Sequence, residues 1–135
     1  MAVKVLTNAL VTINSIDLST KSNSVTLNYE IDSVEVTAFG SSGHIFTGGL
    51  QNNSVEIEML QDFATSLTEA TIFPLVGTTT TLVLRADSGA VSATNPTYTI
   101  SNAFLAAHTP IAGGVGELMM SSLTFTGGTL VKTTA

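Results

Sequence analysis

Ser54-Val55-Glu56-Ile57-Glu58-Met59 carries apolar residues at every second position and its two glutamates on the alternate ones. Successive side chains of a strand point to opposite faces, so this stretch reads as a strand with Val55, Ile57 and Met59 turned inward and both glutamates outward. The same period recurs upstream. Ser24-Val25-Thr26-Leu27-Asn28-Tyr29-Glu30-Ile31 places apolar residues at odd positions, and Val34-Glu35-Val36-Thr37-Ala38 places them at even ones. The phase changes at Asp32-Ser33. A two-residue hairpin turn there pairs Ile31 with Val34, Tyr29 with Val36 and Leu27 with Ala38. A bulge inside one continuous strand fits equally, because no Asn-Gly or Asp-Gly marks the turn.

Downstream, Thr80-Thr81-Leu82-Val83-Leu84 is a Thr-rich strand, and Tyr98, Ile100 and Phe104 repeat with period two through residues 97–105. A last strand carries Met119, Leu123 and Phe125, and weaker candidates lie at residues 3–6, 10–13 and 129–132. Short strands at this spacing predict a mainly β fold, an antiparallel β-sandwich or barrel. One segment departs from the pattern. About residues 65–73 the spacing turns helical, Ser66-Leu67-Thr68-Glu69 forms a capping box, and Pro74 stops the helix. Leu67, Ala70, Ile72 and Phe73 are expected to dock it on the sheet or close one end of the barrel. A long loop is predicted about residues 39–50, where glycines flank the apolar pair Ile45-Phe46 and are too many for a rigid strand. Exposed Ile and Phe there call for a partner surface. A second flexible loop is expected at residues 109–116.

Composition bounds what such a fold does. The 135 residues make one domain, 1–135, with a single core. Only 10% of them are charged, although a domain that stays dispersed on its own carries roughly 25–35% charged residues on its surface. Mean hydropathy is nevertheless positive, at +0.42, and no stretch is long enough to enter a membrane. Neutral Thr- and Ser-rich strands of this kind suit a subunit covered by other copies. Cysteine is absent, which excludes disulfides and thiolate metal sites. The N-terminal residues hold no apolar run of secretory length, so synthesis in the cytoplasm without a cleaved signal is expected. Net charge is −6, and the four cations Lys4, Lys21, Arg85 and Lys132 are scattered singly. Binding to DNA by counterion release needs clustered cations. The acidic balance suits instead a wall that lets a polyanion pass.

No catalytic, cofactor or metal site emerges. His44 and His108 lie in or beside predicted loops, with no Asp, Glu or Cys at ligand spacing. Gly40-Ser41-Ser42-Gly43 lacks the Gly-x-Ser-x-Gly elbow of a serine nucleophile and reads as a turn. Glu56 and Glu58 share a face, but a glycosidase pair sits in a sugar cleft, and aromatic platforms usually line it, whereas this chain has no Trp. Glu30, Asp32 and Glu35 form a second acidic cluster without the ligand repeat of a calcium loop. Asn52-Asn53-Ser54 fits a glycosylation acceptor formally and a turn better.

Taken in order, several pieces resemble the small tail tube (major tail) proteins of long-tailed bacteriophages. They are Asp17-Leu18-Ser19, residues 24–31, Val34-Glu35-Val36-Thr37-Ala38-Phe39-Gly40, Gly48-Gly49-Leu50 leading into Ser54-Val55-Glu56-Ile57-Glu58, Gln61-Asp62-Phe63-Ala64 with the short helix, Phe73-Pro74-Leu75-Val76-Gly77, and Ala93-Thr94-Asn95-Pro96-Thr97-Tyr98. The resemblance spans residues 17–126 and rests on order, not on any one piece. It implies a structural virion protein and no enzyme. Subunits of that family close through sheet edges into hexameric rings, and the rings stack into a tube through which DNA leaves without specific binding. The implied partners are further copies, a tape measure protein and tail terminator or tip proteins, and the implied location is the virion tail. The long loop that bridges successive rings maps onto Phe39, Gly40, His44, Ile45, Phe46, Gly48, Gly49 and Leu50, with Ile45 and Phe46 as apolar anchors. Glu56 and Glu58, then Glu30, are the acidic candidates for the lumen. The extra C-terminal immunoglobulin-like domain of some members is missing, so decoration of the tail exterior is not expected. A capsid decoration (cement) protein is the alternative, and a receptor- or carbohydrate-binding fibre module is disfavoured by the shortage of aromatics.

Overall fold

The computed structural model describes residues 3–135. In chain order the elements are β1 (Leu10–Ile13), β2 (Ile16–Asp17), β3 (Ser22–Asn28), β4 (Ile31–Glu35), β5 (Phe46–Gln51), β6 (Ser54–Leu60), helix α1 (Thr68–Ile72) continued by a 3₁₀ turn (Phe73–Leu75), β7 (Thr79–Arg85), β8 (Thr97–Ala112), β9 (Met120–Thr126) and β10 (Thr129–Thr133). The fold is mainly β, as the alternation predicts. An eight-stranded antiparallel sheet runs β2-β1-β7-β8-β9-β6-β3, with β10 added on β8, and β4 and β5 form a separate two-stranded ribbon. The β1–β2 hairpin turns on Asn14 and Ser15, both at positive φ (51° and 66°). That geometry matches the twist of the strands it joins.

The sheet folds on itself through β8, a strand of sixteen residues. Its first half pairs with β7 and β10, and its second half pairs with β9. Asn102, at φ 59°, and register shifts near Thr80 and Leu105 mark the place where β8 bends from one half-sheet to the other. The two inner faces meet in one core. Val11, Ile13, Leu82, Leu84 and Ile100 come from one half, and Val55, Ile57, Met59, Leu105, Leu123 and Phe125 from the other, with Leu18 and Ile72 at the margins. Complete burial of a large side chain here is worth about 1.5–3 kcal/mol before ordering costs.

Several expectations change. The segments at residues 24–31 and 34–38 do not pair with each other: β3 pairs with β6, β4 pairs with β5, and the break falls at Tyr29-Glu30. A bulge does occur nearby, as a register shift between Ile31 and Ser33 in the ribbon. Phe104 is exposed, because the kink at Asn102 shifts the inward phase to Ala103 and Leu105. Residues 3–6 form no strand, while Met1 and Ala2 lie outside the described residues. Residues 109–112, expected in a loop, complete β8. The capping box is not made, since Ser66 sits at φ 62° and Leu67 is the N-cap without a side-chain bond. Of the four residues expected to dock α1, Ile72 is buried and Leu67 half-buried, whereas Ala70 and Phe73 face out and Thr68 and Thr71 take the inner positions. Pro74 lies inside the 3₁₀ turn, where its missing N–H costs little.

Candidate functional site

The predicted loop at residues 39–50 is realised as the far part of a β-hairpin. β5 supplies its returning strand, in which Phe46 and Gly48 pair with Glu35 and Ser33 of β4, while Gly49 and Leu50 lie at the register shift between Ser33 and Ile31. The glycines permit this instead of preventing it. A Cβ at Gly49 would lie 3.1 Å from Val34 Cγ2 and 3.3 Å from the Asp32 carbonyl oxygen, and one at Gly48 would touch Ile31. The ladder continues past the formal strands, with the Val36 N–H donating to the Ile45 carbonyl at 2.8 Å, and the tip turns through Gly40 at φ 91°. No residue of β4 is buried, and in β5 only Gln51 is half-buried. Phe39 is fully exposed, Leu50 is 81% exposed, and Ile45 and Phe46 are each more than half exposed. His44 contacts the Glu35 carboxylate, which also accepts from the Thr37 hydroxyl at 2.9 Å. The fold thus supplies an acid partner that sequence spacing did not show.

The base of this hairpin is locked. Asn52 N–H donates to the Glu30 carbonyl at 2.7 Å, and buried Asn53 donates through Nδ2 to Gln51 Oε1 at 2.9 Å and to the Gly128 carbonyl at 3.2 Å. Gln51 Oε1 also accepts the Leu130 N–H at 2.9 Å. Gly128, at φ 87°, lets the β9–β10 turn lie against β8, because a Cβ there would sit 2.5 Å from the Ser101 carbonyl oxygen. Sequence reasoning placed the turn at Asn52-Asn53-Ser54 but missed the lock that Gln51, Asn53 and Gly128 make there. Their signals were an Asn-Asn pair between two strands and a Gly-Gly pair before the last.

Glu56 and Glu58 occupy the outer face of β6. Register places Thr26 and Thr124 on either side of Glu56, and Ser24 and Ser122 on either side of Glu58. The next strand adds Ala107 and Thr109 to the same rows. This face is a carpet of hydroxyls with two carboxylates and no cation among those positions. Glu30 is not part of it: it lies beyond the end of β3, at the hairpin base. Lys21 is engaged with Asp62 at 2.9 Å. That ammonium, followed by the Ala64 N–H, holds the Asp62 carboxyl below the ordinary aspartate range.

One constellation has the residue types of a hydrolytic triad. His108 Nε2 lies 3.3 Å from Glu69 Oε2, and its Nδ1 lies 3.4 Å from Ser121 Oγ. The Ser121 residue is 1% exposed and the His108 side chain 2%, so no substrate reaches the hydroxyl. Gln61 completes the cluster, donating to Glu69 Oε2 at 3.0 Å and to the Pro110 carbonyl. The group clasps α1 to β8 and β9. Among the described residues, no group of three or more His, Cys, Asp or Glu is placed to hold a metal ion. No helix among them is long and apolar enough to cross a membrane.

No protein-family model matches this chain. No curated protein is similar to it in sequence. Solved structures are similar in fold over nearly its whole length. A chain of the sheath–tube complex of an extracellular contractile injection system in the extended state aligns over 98% of this chain and 92% of its own, at 14% identity and TM-score 0.70. A chain of the virion of a native gene transfer agent particle aligns over 97% and 99%, at 13% identity and TM-score 0.73. A third, from the tail of an empty gene transfer agent particle with helical, C6 symmetry, aligns over 85% and 83%, at 14% identity and TM-score 0.64. At these identities the likeness is one of fold. The chain shares that fold with structural proteins of phage-like tail and injection assemblies, in agreement with the resemblance to tail tube proteins.

Proposed function

We propose that this chain is a structural subunit that closes into six-membered rings and stacks them into the tube of a phage-like tail. The observation that carries the proposal is the β4–β5 hairpin, held firmly at its base yet exposed along its apolar length. An isolated two-stranded ribbon is marginal in water, and an apolar surface of this extent marks an interaction site. The magnitudes favour many contacts over one. Burying what is still exposed of Phe39, Ile45, Phe46 and Leu50 is worth roughly 4–9 kcal/mol in gross transfer terms, while association alone costs about 4–15 kcal/mol. A single hairpin contact therefore comes close to break-even, whereas six acting together hold a ring to its neighbour.

In this reading the β3-β6-β9 outer face lines the channel, and rings of Glu56 and Glu58 keep phosphates off the wall. Glu30 contributes charge near the hairpin base. Phe39, Gly40, His44, Ile45, Phe46, Gly48, Gly49 and Leu50 bridge successive rings. DNA passes without a specific site, a tape measure protein fills the tube before ejection, and terminator or cap components finish its ends. The subunit is made in the host cytoplasm and carried in the virion tail. Negative-stain electron microscopy of the concentrated protein, with mass determination on the same sample, tests the proposal. Rings or hollow tubes support it. A monodisperse monomer or trimer under all salt conditions overturns it and favours the capsid-decoration alternative, for which binding to empty shells is the next assay.

A further inference from the structure

The hairpin has a counterpart at the other end of the same strands. Strand register fixes the two ends: Asn28, Ser54 and Thr126 align beside the hairpin base, whereas Leu60 and Met120 align at the far end of β6 and β9. The seven residues of β6 separate them, a distance of about 20 Å at the usual strand rise. At the far end, residues 61–63, 110–113 and 117–119 are tied together. Gln61 N–H donates to the Met119 carbonyl, Gln61 Nε2 donates to the Pro110 carbonyl, and Gly113 packs on the Leu118 carbonyl. This knot of loops exposes Phe63, Ile111, Val115 and Leu118, the last at 67%. The Glu117 carboxylate, the nearest acid in that turn, is occupied by the Gly114 N–H at 2.9 Å.

We infer that this far-end patch is the surface on a second copy of the chain that receives the β4–β5 hairpin. The inference rests on the proposed tube. An interface between like faces needs a single self-complementary patch, whereas head-to-tail stacking needs two different patches on opposite ends of one subunit. The second arrangement is the one found. Copies repeated along an axis parallel to β6 bring the hairpin of one against the loop knot of the next, apolar surface against apolar surface.

Two double variants at exposed positions test it, Phe39→Asp/Ile45→Asp at the hairpin and Val115→Asp/Leu118→Asp at the far end. Both should melt like the parent subunit, and each alone should fail to grow beyond single rings in sedimentation and microscopy. An equimolar mixture should give paired rings and nothing longer, because one junction of each possible pair is intact. Continued tube growth by the Val115→Asp/Leu118→Asp protein overturns the far-end assignment while leaving the tube itself standing. Failure of the mixture to pair overturns it as well, and so do paired rings from the Val115→Asp/Leu118→Asp protein alone, since a hairpin that docks on another hairpin gives that result. If the parent protein makes no end-to-end contacts, both the inference and the tube reading fall.

Discussion

β5 and β6 are consecutive strands separated only by Asn52 and Asn53, yet they meet opposite fates. β6 is flanked by β3 and β9, and its alternate residues Val55, Ile57 and Met59 are sealed in the core. β5 is flanked only by β4, and its Phe46 and Leu50 stand in solvent. Similar apolar side chains meet two fates, one sealed inside the subunit and the other left in solvent, where the proposed tube would cover it. Free-subunit stability should therefore depend on β6 and its ladder and hardly at all on β5, whereas assembly should depend on both.

The largest effect on the free subunit is expected from Phe125→Ala, opposite Val55 in the core, which should cost about 3–5 kcal/mol in urea denaturation. A loss below 1 kcal/mol would mean that β6 and β9 do not form the core described. Gly128→Ala comes next, at roughly 1–3 kcal/mol, because its Cβ meets the Ser101 carbonyl and its backbone is left-handed. His108→Ala leaves Glu69 and Ser121 short of a partner in a buried cluster. About 1–3 kcal/mol should be lost, with faster amide exchange localised to α1. The Lys21–Asp62 contact contributes less, because both half-buried side chains remain open to solvent screening. Since the folded-state carboxyl is depressed, its contribution is complete above the ordinary aspartate value and disappears as pH falls through the folded value. Lys21→Met should remove that small contribution at neutral pH, leave stability below the folded value unchanged, and so flatten that part of the acid-unfolding curve. Smallest of all for the free subunit is Ile45→Ser/Leu50→Ser, expected within about 0.5 kcal/mol of the parent, while microscopy shows tubes lost. Glu56→Lys/Glu58→Lys should likewise spare folding and assembly but make DNA retention in the tube salt-dependent. Unchanged ejection in that variant would remove those two residues from the channel wall.

Alternation made β6 and β7 legible because one face of each is buried within the subunit. It misled at β4. Val34 and Val36 alternate as core residues do, yet both are exposed in the subunit, so alternation alone does not report burial within the chain. The β3–β4 hairpin, one of two readings left open there, failed because pairing by apolar pattern presumed one common core. Phe104 was misplaced because a single left-handed residue, Asn102, reverses the phase, and Asn in a Thr-rich strand is a faint signal. The histidine partners Glu35 and Glu69 lie nine and 39 residues away and come together only through folding. The acidic pair on β6 was legible as outward-facing. Its hydroxyl surroundings came from cross-strand register, which no local pattern encodes.

β8 has a mechanical consequence. It is bonded into both half-sheets, and the hairpin joins the neighbouring ladder through Asn52 and Asn53, beside the β9–β10 turn that folds back onto β8. Tension applied along the strands through the hairpin enters β6 and meets hydrogen bonds lying across the direction of pull. Bonds loaded in shear must rupture together, while the apolar contact at a hairpin tip can be peeled away a side chain at a time. A filament built from this subunit should therefore part cleanly between copies under strain, leaving each copy folded and able to rejoin.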